Sequence, residues 1–172
     1  TAYQVSFEIS ADHTLIGAEL AARSALAGLD RVQGHLDRAT DAFEVIAERA
    51  QDAGLEVRAL NARLQLGLCA WSRNDAPVAR EAFEEVKRGA RGNLFTLEFY
   101  ASLGAAWAYA ADGRWDQAEM CIMFAEDLRY DVRLKDPEAE TLRVTLLELA
   151  KAGRRPDLVQ RIEKLDMMRT RT

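Results

Sequence analysis

The sequence predicts an all-α fold of about four antiparallel helix pairs, and three observations predict it. Thirty of its 172 residues are alanine, whereas proline occurs only at Pro77, Pro137 and Pro156. Alanine loses no side-chain freedom in a helix and proline interrupts one, so this composition favours long helices. Turn-forming residues also recur at a near-constant interval: Gly34, Asn74, Gly113 and Gly153 lie 40, 39 and 40 residues apart. Such an interval is the mark of stacked helix pairs. Finally, the same apolar offsets follow each marker, at helical spacing.

After Gly34 come Leu36, Ala39, Phe43 and Ile46, and after Asn74 come Ala76, Ala79, Phe83 and Val86. After Gly113 come Trp115, Ala118, Ile122 and Ala125, and after Gly153 come Arg155, Leu158, Ile162 and Leu165. From the second position on, steps of four and three put these side chains on one helix face. The markers themselves are read as left-handed helix ends, a conformation that Gly and Asn tolerate best.

The helices are placed at 12–29, 36–53, 56–73, 76–88, 93–112, 115–130, 137–152 and 156–168. All three prolines then fall where a helix begins, a position that tolerates the missing donor. The helices pair into repeats at about 12–53, 56–88, 93–130 and 137–168, in a single domain covering 11–172. At the start, Tyr3, Val5, Phe7 and Ile9 alternate. A strand needs partners, so residues 1–10 are expected to form an extended arm or a helix extension.

These offsets resemble the tetratricopeptide repeat. Ala106, Tyr109, Gly113, Trp115, Ala118, Ile122 and Ala125 fit its spacing, and Leu66, Gly67, Ala70, Asn74, Ala79 and Phe83 form a second match. The resemblance implies a right-handed α-solenoid whose first helices line a concave face. The family interval of 34 residues is exceeded by five or six. The extra length is assigned to longer helices and to the joints 51–56, 87–94 and 130–138. Elongated repeats of this kind are similar to those of large bacterial transcription regulators.

Composition narrows the function. The net charge is −5, and the basic residues, 19 Arg and 4 Lys, are interleaved with acids, so direct nucleic-acid binding is not expected. The two locally basic stretches, Lys151–Arg155 and Arg169/Arg171, read as solvated helix ends. The longest apolar run, Ala105–Ala111, is far too short for a membrane span. Cys69 and Cys121 are read as isolated buried or half-buried thiols in a reducing, cytoplasmic setting. His13 and His35 have no second ligand at helical spacing, so no metal site is expected and cap or surface roles are assigned. Glu81 and Glu85, one turn apart, need Arg88 or Lys87 to offset their repulsion. No nucleophile motif or phosphate-cradling loop is present in the sequence, so no catalysis and no cofactor are expected.

By the resemblance, the concave face comprises Asn61, Leu64, Leu68 and Trp71 from the second repeat, Tyr100, Leu103, Trp107 and Ala111 from the third, and Arg143, Leu147 and Lys151 from the fourth. The first adds Ser24, Gly28 and Arg31. This reads as an apolar groove with a basic end, suited to an amphipathic helix or an apolar segment of a protein. The family's carboxylate clamp, which needs Lys and Asn at inward sites, is not matched. Core packing is the competing reading of Trp71 and Trp107, and core is the reading of Trp115.

The function expected is a protein- or peptide-binding scaffold, as the sensory or oligomerising part of a bacterial regulator. The alternatives are a free-standing chaperone for a secreted or apolar client and a small-molecule sensor with a pocket between repeats. Pairing of the apolar concave face or of an exposed end repeat with its own copy would give a homodimer.

Overall fold

The computed structural model describes the backbone of residues 2–128 and 137–165, with side chains from Thr14 onward. Eight helices make up the described residues: α1 (Ala2–Val32), α2 (Leu36–Asp52), α3 (Glu56–Ser72), α4 (Ala76–Ala90), α5 (Phe95–Ala111), α6 (Trp115–Leu128), α7 (Pro137–Ala152) and α8 (Pro156–Lys164). The opening residues are a helix extension, since α1 begins at Ala2, and His13 therefore sits inside a helix rather than near its start. The ends expected for the sixth and eighth helices, Tyr130 and Met168, lie outside the described residues, as do the joint 130–136 and Arg169/Arg171.

One turn is used at five joints. The N–H of Gly34 donates to Arg31 and that of His35 to Asp30, at 3.0 and 2.8 Å. The same pair of bonds recurs at Gly54/Leu55, Asn74/Asp75, Gly113/Arg114 and Arg154/Arg155. This is the Schellman end, in which one left-handed residue turns the last carbonyls of a helix back onto the chain. The residue after it caps the next helix, so each hairpin needs only a few linking residues. The joint expected to be long at 51–56 is a three-residue turn, Ala53–Leu55. At the remaining described joint, Arg91–Leu94, the buried Glu98 carboxylate accepts the Gly92 N–H at 3.2 Å instead.

The fourth marker is corrected. Gly153 does not carry the left-handed turn; Arg154 does, at φ 54°. The reason is space: a Cβ on Gly153 would enter the Trp115 ring. Glycine at 153 serves close approach, and the left-handed residue of this turn is the one after it.

Helices adjacent in the chain pack together from α1 through α6, and α7 packs with α8. The odd helices also form a continuous layer, α1 on α3, α3 on α5 and α5 on α7. Between the even helices, by contrast, the backbones approach closely only at α6 and α8 among the described residues, and α4 meets α6 through the Lys87 side chain. α7 lies against α5 and not against α6. Its first turn reaches back to the end of α1, where Arg31 and Glu138 pair at 2.6 Å.

α5 occupies the centre. It packs against α3, α4, α6 and α7, and Glu98 through Ala108 are all buried. A helix apolar all round belongs inside a protein, and the run Ala105–Ala111 is the sequence trace of that position. The tightest contact is Phe83 of α4, fully buried between Gly67 of α3 and Gly104 of α5. The apolar interior divides into two clusters that meet in α3: Leu20, Phe43, Ile46 and Cys69 belong to the first, and Leu64, Leu68, Phe83, Trp107, Leu146 and Ile162 to the second.

Candidate functional site

The expected concave groove is largely interior. Leu64, Leu68, Tyr100, Leu103 and Trp107 are buried, and Arg143 is buried with them. The correction has a physical cause: α5, which carries Tyr100, Leu103 and Trp107, is enclosed by α3, α4, α6 and α7. Asn61, Ala111 and Lys151 are exposed, while Trp71 and Leu147 are half-buried and packed against the core cluster. Trp107 is thus core, Trp71 lies at the edge of the core, and Trp115 packs against it. Ser24 and Gly28 are half-buried on α1.

The expected basic end is already neutralised. Arg143 makes a two-pronged contact with Glu140, at 2.8 and 2.5 Å, and donates to the Ile162 carbonyl at 3.3 Å. Lys151 pairs with Glu148 at 3.0 Å, and Arg155 with Asp157 at 2.8 Å. The Arg143 and Lys151 pairs are i,i+3 and hold those charges on their own helix, and the Arg155 pair lies at the start of α8.

Open surface lies instead on the side of the even helices. Because α2 and α4 do not touch, a groove of about 640 Å3 opens between them, floored by Ala59 and Leu60 of α3. Arg63 crosses it, bonded to Gln51 of α2 and paired with Glu85 of α4 at 2.9 Å. Glu85 is thus offset by Arg63 from another helix, while Lys87 pairs with Glu84 at 3.1 Å.

A second groove, about 430 Å3, runs along α4 beside Tyr109 of α5. Two guanidinium groups lie over the Tyr109 ring, Arg114 at 4.9 Å and Arg80 at 5.9 Å, and Arg80 also pairs with Asp112 at 2.5 Å. A cation over an aromatic face is attracted by the ring quadrupole, which fixes both partners. Burial pushes the Tyr109 hydroxyl above its usual range, with Glu84 adding to it. Where α4 faces α6, Lys87 lies 5.9 Å from the Phe124 ring centre and 3.3 Å from the Cys121 sulfur.

Beside this groove α6 exposes Met120, Met123 and Phe124, 60%, 46% and 43% accessible. The opposite side of α6 buries Ala118, Ile122 and Ala125 in the core. A helix with one apolar face for the core and a second facing water presents surface for another molecule, and methionine adapts to varied partners. Reading by repeat offset singles out 118, 122 and 125 and passes over this second face. The signal was present in the spacing 120, 123, 124.

Cys69 and Cys121 are both buried with free thiols, and burial pushes both above the ordinary thiol range. A reactive thiol needs the opposite shift, so neither is placed for nucleophilic work. His35 is exposed at the start of α2, its Nδ1 3.3 Å from Asp30. Among the described residues no group of three or more His, Cys, Asp or Glu could hold a metal ion, and no helix is long and apolar enough to cross a membrane.

The chain matches no family model, no curated protein and no solved structure.

Proposed function

We propose that this chain is a non-catalytic binding module, a helical-repeat scaffold of the tetratricopeptide kind wound as a right-handed superhelix. Its partner is an apolar or amphipathic segment of another protein. The observation that carries the reading is the exposed Met120, Met123 and Phe124 face of α6, with Phe124 against Lys87 of α4, near the groove that runs along α4 and Tyr109. The apolar side chains supply burial on docking, while Arg80, Glu84 and Arg88 along the groove supply polar rim contacts. Placement of the chain in the sensory or oligomerising part of a bacterial regulator follows from the repeat length and belongs to the same proposal.

The test is affinity capture from the source lysate with three forms of the chain: wild type, Met120→Glu/Phe124→Glu and Trp71→Ala. All three are first checked for helical content. A protein retained by wild type and Trp71→Ala but lost by the α6 variant supports the reading. Retention by the α6 variant with loss by Trp71→Ala returns the site to the residual inner face and refutes it. Equal retention by all three forms places the contact elsewhere.

A further inference from the structure

We propose that the exposed face of α6 receives a basic amphipathic helix of another protein, one whose apolar stripe carries a positive charge at each end. The inference rests on the binding-module reading and names the chemistry of its partner.

The face is a seam along one side of α6. Asp116, Met120, Met123 and Asp127 follow one another at steps of four, three and four, with Phe124 beside them, and all five are exposed. Steps of this kind keep side chains on one line of a helix and form the contact along which a second helix lies. Met120, Met123 and Phe124, 60%, 46% and 43% accessible, fill the middle of the line. They leave on the order of 300 Å2 of apolar surface uncovered, the size at which a patch marks an interaction site. Methionine adapts to side chains of varied shape, so the middle selects apolar character rather than one sequence.

Charge selects the partner. The acidic residues of α6 are Asp116, Glu119, Glu126 and Asp127. Two of them are held by α8: Arg161 lies 3.7 Å from Glu119 and 2.8 Å from Glu126, and Arg155 lies 3.8 Å from Glu119. Asp116 and Asp127 make no ion pair with any described residue. Two cations reach residues of the seam, and both are engaged elsewhere. Lys87, against the Phe124 ring, pairs with Glu84 at 3.1 Å. Arg155, which feels the charge of Asp116, pairs with Asp157 at 2.8 Å. The seam is thus an apolar centre between two uncompensated carboxylates, about 16 Å apart along the axis. A helix laid along it in either direction meets both with cations three turns apart on its own apolar side. The chain's net charge of −5 steers a partner of the same sign.

The experiment is a fluorescence anisotropy titration of the full chain with two labelled synthetic helices at low ionic strength. Both peptides present leucines to the seam; one has lysine and the other glutamate at the two flanking positions. Three forms of the chain are compared, wild type, Asp116→Asn/Asp127→Asn and Met120→Gln/Phe124→Gln, after helical content has verified their folding. Wild type is expected to bind the lysine peptide at least about fivefold more tightly than the glutamate peptide, a preference that shrinks with added salt. The asparagine form is expected to bind both alike, and the glutamine form neither. Equal binding of the two peptides by wild type, lost in the glutamine form, overturns the charge assignment while leaving the face a docking site. Binding of neither peptide by wild type overturns this inference and the α6 reading together. A lysine preference that survives in the asparagine form overturns it by placing the carboxylates elsewhere. So does a doubled chain mass in sedimentation that the glutamine form abolishes and the lysine peptide leaves in place, because a second copy then occupies the face.

Discussion

Two glycine-to-alanine substitutions are expected to act with opposite sign. Gly28 and Gly104 both lie inside helices, where alanine is favoured over glycine by about 0.5–1 kcal/mol. At Gly28 an added Cβ meets nothing within 4 Å, so Gly28→Ala is expected to realise that gain, roughly 1–3 °C in melting temperature for a chain of this size. At Gly104 the added Cβ runs into three atoms of the Phe83 ring. Phe83 has no room to retreat, because its other edge lies where a Cβ on Gly67 would be 2.7 Å away. Overpacking of a fixed core group costs about 1–3 kcal/mol, which outweighs the propensity gain. Gly104→Ala is therefore expected to lose about 0.5–2 kcal/mol net. Urea denaturation followed by circular dichroism reads this as a lower midpoint at unchanged slope. A cycle with Phe83→Leu isolates the contact: the leucine substitution is expected to cost at least about 1 kcal/mol less in the Gly104→Ala background than in wild type. If Gly104→Ala is as stable as Gly28→Ala, or the two changes simply add, the wedge reasoning fails.

Arg154→Gly is expected to stabilise the chain by about 1 kcal/mol, seen in thermal melts, because it relieves a left-handed turn on an exposed non-glycine residue. Arg31→Ala is expected to destabilise by about 1–3 kcal/mol, since the side chain is only 12% exposed and its pairing with Glu138 is lost; equal stability of Arg31→Ala and wild type would remove the pair from any structural role. Glu19 is held at about 2, down from 4.5, chiefly by its two-pronged hydrogen bond to Arg49, with Arg23 beside it. A lowered carboxylate contributes stability above its unfolded value of 4.5 and loses it as the pH falls toward about 2. Titration of the Glu19 carboxyl by nuclear magnetic resonance is thus expected to move up toward 4.5 in Arg49→Ala, and an unmoved titration would contradict the pairing.

Helix positions were legible because the residues that end and begin helices act locally. Pro77, Pro137 and Pro156 stand at or next to the first residue of α4, α7 and α8, and Gly34, Asn74 and Gly113 adopt the left-handed turn. Gly153 shows the limit. A glycine serves either an unusual φ or a close approach, and only the position of Trp115 decides which. The groove was not legible for a related reason. Helical spacing marked Leu64, Leu68, Leu103 and Trp107 as apolar positions of α3 and α5, and all four are buried. How deeply they are buried depends on all the helices packed around α5, which no local pattern encodes. The exposed face of α6 was written in the sequence as a second apolar periodicity on a helix already assigned to the core.

The Arg31–Glu138 pair joins residues 107 positions apart, from the first helix pair to the last. In a linear array each unit feels only its neighbours, so ends fray one at a time and unfolding spreads over a range of conditions. A bond between the terminal units turns the array into a ring, in which releasing either end also strips a contact from the other. The two apolar clusters, which meet inside α3, thereby share one further contact by charge, so freeing either end of the described chain costs the other a partner.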